Sequence, residues 1–212
     1  MESYPLPHYG ATVHLALYHP IRNAAALRSR LVSASTLPPD EAGNRERAAV
    51  DFAFVDARMI TSRLHLLTAV QQALLAKADG ALKTKTLHSE VLWMLEPGTN
   101  ITDSLKHFGL SPSTSSLVLV HIAPTTGQAT AENERTAAED VLRRMEAVVE
   151  GEVVSLDALG RADGGALDDK AVRKVYKLNQ DTALKGLKAG SDEARATLDR
   201  LVTSTVALKV AM

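Results

Sequence analysis

The chain has 212 residues, 45% of them hydrophobic, a formal net charge of −1 and a pI of about 6.7. That length is enough for one sizeable core, and a single domain over residues 1–212 is the expectation. The near-neutral balance excludes a global basic field that would draw in nucleic acid non-specifically, and the absence of cysteine excludes disulfides, thiolate metal sites and a cysteine nucleophile.

Residues 1–9 have no basic start and no apolar run, so they are not read as a signal peptide. No stretch approaches the roughly 18 uninterrupted apolar residues of a membrane helix, so a soluble protein without a membrane partner is expected. Val13, Leu15 and Leu17 alternate with Thr12, His14 and Tyr18, which is the period of a strand with one buried face. Pro20 is expected to stop that strand, because proline donates nothing to a ladder. A short helix over Ile21 to Val32 follows. Residues 33–50 are expected to include a mobile loop, on Pro38-Pro39 and Gly43.

Phe52 to Ala57 is apolar on both faces, as in a central strand. Thr61 or Ser62 can then cap a helix whose stripe is Leu64, Leu67, Val70, Leu74 and Leu75, with Gly80 at its left-handed end. Val91 to Leu95 is read as a third strand and Leu117 to Ile122 as a fourth. Between them Asn100 or Thr102 caps a helix carrying Ile101, Leu105 and Phe108, closed by Gly109. A charged helix over residues 131–149 buries Val141, Met145 and Val148, and residues 157–167 are a second expected mobile loop. The last third is helical: Ala171 to Leu178, then a helix from Ser191, with Asp192 and Glu193 in its first turn. The alternation of strands and helices leaves parallel and antiparallel sheets both open.

No catalytic site is expected. Asp79-Gly80-Ala81-Leu82-Lys83-Thr84 lacks the first glycine and the spacing of a phosphate loop and reads as a helix end and turn. The seven histidines form no i, i+4 pair with a glutamate between, so no metal is assigned. Asp168-Asp169 suits a helix start better than acid–base chemistry, and no serine sits in a nucleophile elbow. Lys83-Thr84-Lys85 with His88 is the one local basic group. If the segment is extended, Lys83 and Lys85 present their ammonium groups on one side, where they can grip a few phosphates; an ordinary solvated turn is the alternative. From Leu201 to Met212 only Lys209 is charged, and Leu201, Val202, Val206, Leu208 and Val210 spread over more than one face. Such a helix is either buried in its own core or meets a partner with its second face.

The run DFAFVDARMITSRLHLLTAVQQALLAK over residues 51–77, followed by LKTKTLHSEVLWMLEPGTNITDSLKHFGLSPSTSSLVLVHI over residues 82–122, resembles the kinase-binding subunit of the KEOPS/EKC complex, the TPRKB family. The resemblance rests on the order and spacing of the Phe-x-x-x-Asp-Ala strand, the His65-Leu66-Leu67 helix, Lys85-Thr86-Leu87-His88-Ser89-Glu90 and the Asn100–Gly109 helix. It extends more loosely over residues 168–212, where Val175-Tyr176-Lys177-Leu178 and the aliphatic last helix fit; the longer loops suggest a fungal-type member. It implies an α+β two-layer fold, with a four-stranded sheet, helices mainly on one face and a helical C-terminal third. It implies a non-catalytic adaptor or regulatory subunit, without cofactor or small-molecule substrate, that binds the small atypical kinase/ATPase of the complex. That complex makes threonylcarbamoyladenosine in tRNA. The family helps recruit tRNA, by its CCA end, and its yeast members have been linked to telomere maintenance; cytoplasmic and nuclear localisation follows. Together with the nearly uncharged Leu201–Met212 segment, the resemblance points to Val202, Val206 and Leu208 as kinase-binding anchors, with Lys209 at their rim. It makes Lys83, Lys85 and His88 the candidate tRNA contacts. A stand-alone RNA-binding module is the rival reading.

Overall fold

Alternation over Val13–Tyr18 does produce a strand, but a longer and more deeply buried one than the pattern predicts. The computed structural model describes residues 1–125, 131–161 and 167–209. Its strands are β1 (Glu2–Leu6), β2 (Ala11–Ile21), β3 (Ala53–Asp56), β4 (Leu117–Pro124) and β5 (Gly151–Val154). Its helices are α1 (Ala24–Thr36), α2 (Glu41–Ala49), α3 (Arg63–Ala78), α4 (Leu87–Leu95), α5 (Ile101–Phe108), α6 (Ala131–Glu146), α7 (Asp169–Val175) and α8 (Asp192–Leu208). The fold is α+β, as expected, but among the described residues the sheet has five strands rather than four. Among the described residues no helix is long and apolar enough to cross a membrane.

The chain falls into two compact units, Met1–Val55 with Leu110–Leu156, and Asp56–Gly109 with Asp157–Met212. In the first, the strands run in the order β1-β2-β4-β3, and β5 also joins β2. Every pairing of β2 is antiparallel: Leu6↔Ala11 to Glu2↔Leu15 with β1, Ala11↔Pro124 to Tyr18↔Leu117 with β4, and Leu17↔Val154 to Ile21↔Gly151 with β5. Since β4 occupies one edge of β2, β1 and β5 lie end to end along the other. Pro20 does not stop the strand. It sits within β2 where the β5 register shifts between Tyr18 and Ile21, a place where a missing N–H is tolerated. One face of the sheet supplies Ala16, Tyr18, Phe52, Phe54, Leu117 and Leu119 to a core shared with Leu27 of α1 and Val141 and Met145 of α6. Residues 33–50 are not one loop: they hold the end of α1 and all of α2, which Asp40 caps by accepting the N–H of Gly43 at 2.7 Å.

The second unit is helical, with α3 against α4 and α8, and α5 beside α4. Ser62 caps α3 by accepting the His65 N–H at 3.0 Å, and Gly80 after it takes φ +65°, where a side chain would be strained. The expected third strand at Val91–Leu95 is instead the end of α4. Its residues are apolar on both faces because the helix is buried all round, from His88 to Leu95 save Ser89. A short apolar run of this kind has no period that separates helix from strand. Thr86 and Ser89 form the capping box that starts the helix. Residues 162–166 of the second expected loop lie outside the described residues.

Candidate partner and nucleic-acid surfaces

Both groups of candidate residues lie in the helical unit. Ser191 begins α8 by accepting the Ala194 N–H at 3.2 Å, and the helix then buries Ala194, Leu198, Val202 and Val206, one residue per turn. Thr61 Oγ1 donates to Asp199 Oδ1 at 2.6 Å, and Gln72 Nε2 donates to the Ala207 carbonyl at 3.0 Å, so α3 and α8 run parallel. Val202 and Val206 are 0% and 1% exposed. They are core residues and present no side-chain surface to a partner. Leu208 is 58% exposed, and Leu64 on α3 is 61% exposed. Asp192 and Glu193 are exposed in the first turn of α8; in its second half Arg200, Ser204, Ala207 and Leu208 are exposed, and of these only Arg200 carries charge.

Lys209 does not sit at an exposed rim. It turns inward over the Trp93 ring, with Nζ 3.5 Å from the centroid. The ammonium donates to the carbonyls of Trp93, Glu96 at 2.6 Å and Gly98 at 2.9 Å. These belong to the end of α4 and the turn after it, where helix carbonyls lack intrahelical donors and the dipole favours a cation. Burial pushes the Lys209 pKa down to about 8, against the opposing pull of Glu96 and Glu90.

Lys83 and Lys85 are both exposed, with Thr84 between them turned inward, as alternation predicts. The turn is built round Glu90 of α4, which is fully buried. Its carboxylate accepts the N–H of Lys83 at 3.0 Å and of Thr84 at 2.8 Å, and the Thr84 hydroxyl at 2.7 Å. Those backbone donors are therefore spent on an internal anion. With its N–H committed, Lys83 can offer a phosphate only its ammonium group. His88 is 7% exposed, inside α4, and does not share their surface.

Among the described residues no group of three or more His, Cys, Asp or Glu side chains is placed to hold a metal ion. His14 and His121 face one another across β2 and β4, with ring centroids 6.3 Å apart. The anchoring roles of Glu90 and Lys209 carry no sequence signal, since each depends on carbonyls or amides brought together by the fold.

Comparison with known proteins places the chain. The family described as kinase binding protein CGI-121 matches residues 18–210. A Gibberella zeae protein named EKC/KEOPS complex subunit CGI121 is 34% identical over 213 residues, covering 99% of this chain and 98% of its own length. An Aspergillus terreus protein with the same description is 32% identical, with 99% and 96% covered. One from Cryptococcus neoformans var. neoformans is 31% identical, with 99% of each chain covered.

Proposed function

The chain belongs to the CGI-121 family of kinase-binding proteins, and from that premise we propose that it is a non-catalytic subunit of a KEOPS/EKC complex. It docks on the small kinase of that complex through the outer face of α8 and helps bring in tRNA for threonylcarbamoyladenosine modification, by the CCA end. The observation that carries this reading is the family match itself, which runs from residue 18 through α8 to residue 210. Exposed Leu208, beside Ser204 and Ala207 on the uncharged last turns of α8, gives the match a physical counterpart, since a partner that covers it would gain an apolar anchor.

Co-elution with the kinase tests the reading. Leu208→Asp should weaken the complex by about tenfold or more, as loss of an anchor does. Reconstituted tRNA modification should slow when this chain is left out, while the chain freed of kinase should hydrolyse no ATP. Co-elution that is unchanged by Leu208→Asp would move the docking surface off α8.

The exposed pair Lys83 and Lys85 supports the tRNA part. Two ammonium groups neutralise about two phosphates, so log affinity should fall with log salt at a slope of roughly −1.4 to −1.8. Changing both lysines to Glu should weaken tRNA binding without touching the kinase complex. Equal binding of intact tRNA and tRNA lacking its CCA end would remove end recognition.

A further inference from the structure

We propose that Lys209 is a positioning residue of the kinase-docking surface: a releasable clasp that fixes the last turn of α8, and with it Leu208, against the end of α4. The proposal rests on the docking reading above. Helix ends fray unless something holds their free carbonyls or side chains. In α8 the last buried side chain is Val206. Beyond it, Gln72 holds the Ala207 carbonyl and Lys209 holds the end of α4. Leu208 lies between these two tethers, so its direction is set by them.

The clasp depends on charge. An ammonium has three N–H groups, and three carbonyls receive them, those of Trp93, Glu96 and Gly98. Carbonyls only accept, so a neutral amine, with two N–H groups, must release one of the three and gives up the attraction of the indole face. The Trp93 Nε1–H in turn donates to the Thr99 carbonyl at 3.3 Å, which ties the same connection to the same ring. The charged groups facing the ammonium are Glu90 from α4 and Glu96 after it. Glu96 also pairs with His107 of α5 at 2.8 Å. On α8 itself the nearest charged residue is Arg200. Burial opposes all of these and leaves the ammonium poised near pH 8, close to its point of release.

Trp93 is the single tryptophan, so its fluorescence reads the clasp directly. In the full chain its emission should titrate near pH 8, and that transition should vanish in Lys209→Met, which keeps the stem, and in Lys209→Arg, which keeps the charge. At neutral pH, kinase affinity should be about tenfold weaker for Lys209→Met and within about threefold of wild type for Lys209→Arg. Between about pH 7 and 9 the wild type should drift towards the Met variant while the ratio of Arg to Met variants holds. The kinase is the same in all three complexes, so its own pH dependence cancels in these ratios. Persistence of the Trp93 transition in Lys209→Met, wild-type affinity for that variant, or wild-type and Arg affinities that stay in constant ratio across the range would each overturn the clasp. A Trp93 transition that behaves as expected while Leu208→Asp binds normally would sink the docking surface, and with it the positioning role, but would leave the α4 tether in place.

Discussion

His65 donates its Nε2–H to the hydroxyl of Tyr176 across 3.0 Å, and the rest of the bonding around the ring fixes that direction. The Thr61 N–H donates to Nδ1 at 3.3 Å, so Nδ1 is the acceptor and the proton sits on Nε2. Tyr176 passes its own proton to the Leu95 carbonyl at 2.6 Å. Three helix ends are tied this way: the start of α3, the end of α4 and the end of α7. The imidazole is fully buried, and burial pulls its pKa down to about 3.

Acid should therefore weaken this unit. The folded pKa, about 3, lies below the ordinary value of 6.5, so the unfolded chain binds more protons between the two. Stability from this group is complete above pH 6.5 and falls as pH drops towards 3, by at most about 1.4 kcal/mol per pH unit. His65→Gln removes the titration. The stability difference between wild type and His65→Gln, measured by urea unfolding at several pH values, should shrink as pH falls from 6.5 to 4. A constant difference would show that the imidazole is not buried neutral.

Tyr176→Phe keeps the ring that packs edge-on against His65 and Phe108 but deletes the hydroxyl between them. It strands a buried N–H and the Leu95 carbonyl, which should cost about 1–3 kcal/mol in denaturant unfolding. Loss of less than about 0.5 kcal/mol would mean that water enters the network.

Val206 and Leu208, two residues apart on α8, should respond in opposite ways. Val206→Glu places a carboxylate without a partner in the core and should cost several kcal/mol, enough to lose cooperative unfolding. Leu208→Asp changes an exposed position and should leave stability within about 0.5 kcal/mol. A Tm series across the two variants separates fold from docking.

Glu90→Ala removes the anion round which the basic turn is folded. Two backbone N–H groups and a hydroxyl lose their acceptor, at about 1–3 kcal/mol. The turn should then open to trypsin after Lys83 and Lys85, several times faster than in wild type at equal global stability, because local opening governs cleavage. Unchanged cleavage would place the turn's order elsewhere.

The caps were readable from the sequence, and so was the buried pair Val141 and Met145 of α6, but the stripes read on α3 and α5 face water in part: Leu64 is 61% exposed, and Ile101 and Leu105 are 41% and 51% exposed. Ser191, Asn100 and Gly80 do what their residue types predict, because capping is a local contest between a side chain and a few backbone groups. The α+β class and the two exposed lysines were readable too. Burial all round hid α4, whose Val91–Leu95 run is equally good as strand. The short strands β1 and β5 were missed because only their pairing with β2 makes them strands. On α8 the spacing gave the stripe but not which side faces inward, since Val206 and Leu208 are equally apolar. Lys209 was misplaced because its partners are carbonyls, which every residue carries.

The long strand β2 serves as template for β1 and β5 together, on one edge and without overlap. A chain lacking its first six residues would leave Ala11 to Leu15 with bare N–H and C=O groups along that edge, beside apolar Val13 and Leu15. An open edge of that kind recruits other chains. Truncations or fusions at this end should therefore be judged by their state of association before any loss of partner binding is ascribed to the helices.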